Sequence, residues 1–417
     1  MRDKVVLAYS GGVDTSVAIK WLREQYDLDV ITLTVDVGNE SNFATVRDKA
    51  LKVGATKALV KDGKKLFISH FVFPSLKADA LYEGQYPLAT ALSRPLIAKL
   101  LVDIARQEAA QAVAHGCTGK GNDQVRFEVS ISALAPELKI MAPAREWGMT
   151  RQQTINYAQR YGIPVPATTT SPYSIDENLW GRSIECGVLE DPWVEPPEEL
   201  FSWTKSLREA PDEPSYVEIA FEQGAPVAID GQEMDGVSLV QQLNELAGSH
   251  GVGRIDHVEN RLVGIKSREI YEAPAAVALL KAHQALEALT LSKAQLCFKL
   301  KVAQEYADLT YNGLWFTAQH QDLSAYISSS QRFVTGIVRL KLFKGKCSVV
   351  GRKSPLSLYS YGLATYDKGD EFDQSASPGF VHIWGLPIKT QAQIQPIAES
   401  EEPLNIMKPK RVEEEKK

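Results

Sequence analysis

Ser10-Gly11-Gly12-Val13-Asp14-Thr15-Ser16 follows directly on the apolar run Val5-Val6-Leu7-Ala8-Tyr9, and residue types in that order suit a phosphate group. Gly11 and Gly12 let backbone amides approach an anion and take up dihedrals closed to other residues. A helix starting near Asp14 offers unsatisfied N–H groups and the positive end of its dipole. The hydroxyls of Ser10, Thr15 and Ser16 add donors. Asp14 is the discordant member, because its carboxylate repels phosphate unless it caps the helix or engages magnesium. A second stretch, His115-Gly116-Cys117-Thr118-Gly119-Lys120-Gly121-Asn122-Asp123-Gln124-Val125-Arg126-Phe127-Glu128, is dense in polar groups. Arg126 can grip a carboxylate bidentately, and Asp123 can receive an ammonium. Glycine, threonine, asparagine and aspartate are ordinary turn residues. A turn alone seldom needs this many different hydrogen-bonding groups, however, and together they suit an amino-acid ligand.

The elements that must position these loops are legible in the first third. Val5–Tyr9, Val30–Val35, Ala58–Val60, Ala112–His115 and Leu138–Met141 read as short strands. Between them fall helical patterns: Val17, Ala18, Trp21 and Leu22 on one face, a helix from Ala44 to Val53, and Ile97, Leu100, Leu101, Ile104 and Ala105 at helical spacing. Strands alternating with helices imply a parallel sheet covered on both faces. Ligands then sit beyond the carboxyl ends of the strands, where both polar loops lie.

The pattern changes near Pro164-Val165-Pro166. Prolines 192, 196, 197, 211 and 214 mark a long irregular connection. Val217, Ile219 and Phe221 alternate as on a half-buried strand. Leu239, Val240, Leu243, Leu246 and Ala247 form a helix face that Gly248 is expected to stop, and Pro274 is expected to open another helix. Lys344-Gly345-Lys346 is expected to turn a hairpin. The expected organisation is α/β: a parallel-sheet domain over 1–166, an α+β domain over 167–390, and a polar tail over 391–417.

Bulk properties exclude several classes. Across 417 residues, 46 basic and 52 acidic side chains give a net charge of −6, without the basic excess usual for nucleic-acid binding. Cys117, Cys186, Cys297 and Cys347 form no CxxC pair and fit a reducing compartment, so a cytoplasmic protein is expected. No apolar run has the length of a membrane span, so neither nucleic acid nor membrane is expected as a partner. Two competing motifs fail. Gly116–Gly121 resembles a Walker A loop, but position 114 is alanine and Lys120 precedes glycine. Gly251-Val252-Gly253 lacks the third glycine of a dinucleotide fingerprint, because Asp256 stands there.

The string Ala8–Ser16 resembles the SGGxD[ST] signature of the PP-loop ATP pyrophosphatases, which cut ATP between its α- and β-phosphates. The chain as a whole resembles the argininosuccinate synthase family. The resemblance is carried by Ala8–Ser16, His115–Glu128, Pro172-Tyr173-Ser174, Asn178–Ser183, Leu189–Pro192, His250–Asp256, Val258–Arg261, Lys266–Arg268 and Tyr271-Glu272, and runs to about residue 385. It implies a Rossmann-like nucleotide-binding domain followed by a synthetase and multimerisation domain, a homotetramer, and magnesium accompanying ATP. It also implies a two-step reaction in which citrulline is adenylated and aspartate then displaces AMP.

Residue by residue, the resemblance places ATP on Ala8, Tyr9, Ser10, Gly11, Gly12, Val13, Asp14, Thr15, Ser16, Val35 and Gly116. It places citrulline on Tyr86, Asn122, Arg126, Ser174, Ser183, Glu259 and Tyr271, and aspartate on Thr118, Asn122 and Asp123. No protein nucleophile is implied, and no protein ligand to magnesium can be named. The family usually has Gly at 89, Ser at 91 and Ala at 35; here these are Ala89, Ala91 and Val35. Ala89 and Ala91 are the support for an alternative reading, an inactive or repurposed relative that binds citrulline or ATP. A catalytic thiol at Cys117 is not required by the chemistry. His115 is expected to shape its loop, and His283 to be a packed or surface histidine.

Overall fold

The computed structural model describes residues 2–39, 42–164 and 172–395, which fall into two compact units meeting between Leu358 and Tyr359. The expected boundary at 166/167 and the tail from 396 onward lie outside the described residues.

Five short, branched-apolar strands form the first sheet: β1 (Lys4–Ala8), β2 (Asp29–Asp36), β3 (Lys57–Asp62), β4 (Ala112–Ala114) and β5 (Lys139–Met141). Their order is β3-β2-β1-β4-β5 and all pairs are parallel. Val5, Val6 and Leu7 are fully buried, as a strand covered by helices on both faces requires. The order of connection reverses at β1, whose two neighbours are β2 and β4. Leu7 pairs with Ala114, so the segments following β1 and β4 leave the sheet side by side at this switch point.

The helix Ala89–Gln107 is longer than the 97–105 pattern suggested. It begins eight residues earlier, behind Leu88 at φ 65°, and carries Pro95 inside it.

From residue 172 onward the sheets are antiparallel. The strands β6 (Ser174–Asn178), β7 (Gly181–Glu185), β8 (Ser215–Glu222), β9 (Ala225–Ile229), β10 (Gln232–Glu233), β11 (Arg254–Asn260), β12 (Lys266–Glu272), β13 (Gly336–Phe343) and β14 (Lys346–Lys353) make two sheets, ordered β11-β12-β7-β6 and β10-β9-β8-β13-β14. The hairpin between β13 and β14 turns through Lys344 and Gly345, both at positive φ, as a two-residue loop demands. Pro274 opens the helix Pro274–Thr290, as expected. Gly248 does not end its helix, which runs Gly236–Ser249. It serves close packing instead, because a Cβ there would meet the Trp203 carbonyl oxygen at 2.2 Å.

The four-stranded sheet is the one that matters for the site. Its far end is pinned by Glu272, whose carboxylate accepts from the amides of Trp203 and Thr204, each at 2.9 Å, and from Arg182 Nη1 at 2.8 Å. In the second unit, the helix Ser377–Ile394 passes through position 391, the expected start of the tail, and buries none of its residues within that unit.

Candidate active site at the sheet switch point

The turn after β1 is built for close approach. Gly11 has φ +80°, and Gly12 caps the helix Val13–Tyr26 with extended backbone and no side-chain cap. The hydroxyls of Ser10 and Thr15 lie 3.2 Å apart, while Thr34 Oγ1 donates to the Tyr9 carbonyl at 2.8 Å and ties the turn to β2. Lys49 Nζ donates to the Gly11 carbonyl at 2.7 Å, a cation that the sequence reading did not assign to this turn. The second loop presses against the first at Gly116, where a Cβ would stand 2.7 Å from Thr15 Cγ2.

A cavity of about 270 Å³ opens here. Ala8, Tyr9, Ser10, Thr15, Val35 and Gly116 line it, with Leu33, Val37 and Ile97 as an apolar wall. Gly11 and Gly12 supply the turn's backbone. Val13 and Asp14 face a separate cavity of about 350 Å³, with Thr118 and Arg151. Ser16 is not brought to the cavity of about 270 Å³: it is fully buried and its hydroxyl donates to the Gly12 carbonyl at 2.7 Å. Asp14 does not cap the helix and has no hydrogen-bond partner among the described residues. Burial pushes its carboxyl up, and Arg151 opposes the shift.

An adjoining cavity of about 440 Å³ is lined by Tyr86, Asn122, Arg126, Ser174, Ser183, Glu259 and Tyr271, and by Thr118 and Asp123. The two cavities share Ser10, Arg94, Gly116, Cys117, Asp123 and Asp176. Sheet register explains the convergence. Tyr271 on β12 pairs with Ser183 on β7, and Ser183 pairs with Asp176 on β6. Residues two apart share a face, which adds Ser174, Glu185 and Glu269 to the same wall.

Hydrogen bonds fix the polar groups. Glu259 accepts from Tyr271 Oη on Oε2 at 2.6 Å and from Tyr311 Oη on Oε1 at 2.5 Å. Tyr86 stacks on Tyr271, with ring centroids 4.2 Å apart, and its hydroxyl accepts from the Thr90 amide at 2.9 Å. Arg126 donates from Nη1 to Asp123 at 2.9 Å and from Nε to the Tyr311 carbonyl at 2.9 Å. Its Nη2 is buried with no partner among the described residues, an arrangement that points to a ligand.

Asp123 is less free than a lone acceptor. Burial pushes its carboxyl up, but Arg94 and Arg126 outweigh that and hold it below the usual range. A substrate ammonium would be its third cation.

The second loop is braced from beneath. His115 Nδ1 accepts from the Cys117 amide at 3.3 Å, which puts the ring proton on Nε2, 3.1 Å from Glu128 Oε1. Gln124 donates to the carbonyls of Gly119 and Gly121, and Arg145 holds Gln124 in turn. The Cys117 thiol is pushed up to about 12 by burial and by Asp123, so it stays protonated.

Sequence reasoning missed Arg94, Asp176, Thr90, Arg261 and Glu269. Arg94 pairs with both Asp123 and Asp176, and Arg261 with both Glu185 and Glu269. Burial raises the Glu269 carboxyl to about 8, with Glu185 and Glu259 adding to the effect against Arg261. Ala91 is fully buried in the hydrophobic core and lines neither cavity; the hydroxyl that reaches the wall at this turn is that of Thr90.

A roomier cavity of about 930 Å³ lies elsewhere, at Asp79, Glu287 and Lys299. His283 is buried there against Asp79. Asp79, His283 and Glu287 could together offer ligand atoms to a metal ion, all within 4.8 Å of one another. Lys299 Nζ already pairs with both carboxylates, so this set accommodates an ammonium in place of a divalent ion.

Comparison with known proteins agrees with the geometry. Residues 4–164 match the family profile described as the arginosuccinate synthase N-terminal HUP domain, and residues 173–391 match the arginosuccinate synthase C-terminal domain. The chain is 65% identical over 401 residues to an argininosuccinate synthase of Dehalococcoides mccartyi strain BAV1, covering 96% of this chain and 99% of that one. It is 59% identical over 395 residues to the Symbiobacterium thermophilum enzyme of that name, covering 94% and 98%, and 58% identical over 393 residues to the Gloeobacter violaceus enzyme, covering 94% and 99%.

Proposed function

The chain belongs to the argininosuccinate synthase family, and we propose that its two adjoining cavities divide the substrates of that reaction between them. It is an ATP-dependent ligase of arginine biosynthesis, condensing citrulline and aspartate to argininosuccinate with release of AMP and pyrophosphate. In our reading ATP occupies the smaller cavity, its base against Leu33, Val35 and Val37 and its phosphates over Ser10–Thr15. Citrulline occupies the larger cavity. Its ammonium meets Glu259, and its carboxylate meets the free Nη2 of Arg126. Aspartate enters beside Thr118, Asn122 and Asp123.

The reaction then needs positioning more than proton-transfer groups. The ureido oxygen of citrulline attacks the α-phosphorus, pyrophosphate leaves, and citrullyl-AMP forms. The amine of aspartate, having lost a proton, attacks the ureido carbon and expels AMP. Arg94 lines both cavities and places a permanent positive charge at the junction where negative charge shifts onto the leaving groups.

Magnesium accompanies ATP in this reading. Asp14 would hold it from the neighbouring cavity that it lines with Thr118 and Arg151, its carboxylate neither capping its helix nor hydrogen-bonding to a described residue. When bound, the ion would neutralise phosphate charge. We further propose a cytoplasmic homotetramer. No helix of the described residues is long and apolar enough to cross a membrane, and the exposed Phe380, Trp384 and Ile388 of the helix Ser377–Ile394 offer apolar surface for subunit contact.

One observation carries the substrate assignment: seven residues from four regions of the chain, spread between Tyr86 and Tyr271, line one cavity. The test is pyrophosphate release from magnesium-ATP with citrulline and aspartate together and each omitted in turn. Release that requires citrulline, with argininosuccinate formed only when aspartate is added, supports the reading. Folded protein that binds ATP yet releases nothing under any combination overturns it.

A further inference from the structure

Tyr311 is the last residue of the helix Lys293–Tyr311, is fully buried, and does not line the substrate cavity. It nevertheless reaches three residues that do. Asn122 Nδ2 donates to its hydroxyl at 2.7 Å. The hydroxyl donates to Glu259 Oε1 at 2.5 Å. Arg126 Nε donates to its carbonyl at 2.9 Å.

The direction of these bonds is determined. Asn122 Oδ1 accepts from the Leu262 amide at 2.9 Å, so the amide nitrogen of Asn122 must face Tyr311. The single phenolic proton is therefore left for Glu259. With Tyr271 on the other oxygen, each oxygen of Glu259 receives one phenol, and the remaining lone pairs are those available to a ligand. The ring is itself clamped. Tyr82 stacks on it at 3.5 Å between centroids and 5° between planes, and the Arg126 guanidinium carbon lies 4.7 Å from its centroid.

We propose that Tyr311 is the positioning residue for citrulline, orienting Glu259, Asn122 and Arg126 as one unit without touching the substrate. The inference rests on the reading that those three residues hold citrulline. Two of these bonds, to Asn122 and Glu259, meet at one hydroxyl and tie the start of the helix Asp123–Leu134 to β11, so loss of that hydroxyl frees both residues at once, while Arg126 stays on the carbonyl. The bond to a buried carboxylate is of the stronger, charge-assisted kind.

Tyr311→Phe isolates the claim, since it removes the hydroxyl but keeps the ring, the stack and the carbonyl. KM for citrulline and for ATP should be measured in wild type, Tyr311→Phe and Glu259→Gln, with thermal midpoints as the control for folding. The expected result for Tyr311→Phe is a rise in citrulline KM of about tenfold, with KM for ATP unchanged. A merely structural role would lower the midpoint or move both constants together, and that result overturns the proposal. If Glu259→Gln raises citrulline KM and Tyr311→Phe does not, the positioning role fails while the substrate reading stands. If neither variant changes it, the substrate reading fails and the proposal with it. Should Tyr311→Phe not fold, Tyr82→Leu removes the stacked ring from the partly exposed side. A selective rise in citrulline KM is expected there too, and an unchanged KM overturns the proposal.

Discussion

Arg94 Nε donates to Asp123 Oδ2 at 2.8 Å, and the same guanidinium also pairs with Asp176, so one cation holds together a carboxylate of the helix Asp123–Leu134 and one of β6. Arg94 is largely buried, and it lines both of the adjoining cavities. Replacing it with alanine leaves two neighbouring carboxylates without their shared counter-ion. Breaking a buried pair in this way costs about 3–5 kcal/mol. Arg94→Ala should therefore lower the thermal midpoint and reduce kcat/KM by about a hundredfold or more. Arg94→Lys keeps the charge but loses the planar fork, and should fall between the two. Alanine and lysine variants of equal activity would refute the bridging role.

Lys299 performs the corresponding task away from the site. Its Nζ lies 2.9 Å from Glu287 Oε1 and also pairs with Asp79, which His283 contacts at 2.8 Å. All four side chains are almost wholly enclosed. Lys299→Met should destabilise the protein by about 3–5 kcal/mol, read as a shift of the urea midpoint. Adding Glu287→Gln removes one of the stranded charges and should restore part of that loss. A double variant no better than the single would show that charge is not what the cluster balances.

How far the sequence reached can be judged from individual elements. β1 was legible because both its faces are buried, so its apolar run is continuous. The glycine turn was legible because φ +80° at position 11 restricts residue choice. The sheet carrying Ser174, Ser183, Glu259 and Tyr271 was not legible as strands. Its segments Ser-Ile-Asp-Glu-Asn and Arg-Ile-Asp-His-Val-Glu-Asn turn polar groups toward a cavity as well as toward solvent, which erases the period-2 apolar signal. Only the family resemblance connected those residues. Arg94 and Thr90 were missed for a different reason. Pro95 breaks the helical pattern by its residue type, while the helix runs through it to Ala89 and carries both side chains to the cavity. Tyr311 gave no local sign at all, because its role depends on contacts with residues 52 to 189 positions away.

Glu269 gives the site a pH signature. Its carboxyl is raised by burial and then by Glu185 and Glu259, from an ordinary 4.5 to about 8. A carboxyl raised on folding binds its proton more tightly in the native state. Its contribution to stability is full below about pH 4.5 and is lost as the pH climbs through about 8. Glu269→Gln cannot ionise. Between pH 5 and 8.5 the wild type should lose more stability than the variant, measured by urea denaturation at both values. Parallel losses in the two proteins would show that Glu269 does not titrate in this window.

Gly116 and Thr15 test the contact between the two loops. A Cβ at 116 would stand 2.7 Å from Thr15 Cγ2, inside any real carbon–carbon contact, so one loop must give way. Thr15 also meets the Ser10 hydroxyl at 3.2 Å, so the displacement is passed into the glycine turn after β1. Overpacking of this kind costs about 1–3 kcal/mol, and Gly116→Ala should raise KM for ATP about tenfold. The offending atom is the methyl of Thr15 and not its hydroxyl. Thr15→Ser removes that methyl and keeps the donor, so on its own it should leave KM for ATP near the wild-type value. Combined with Gly116→Ala it should recover most of the loss, giving a non-additive cycle. A double variant as impaired as Gly116→Ala alone would mean that the alanine acts through the second loop's own backbone and not through the contact with Thr15.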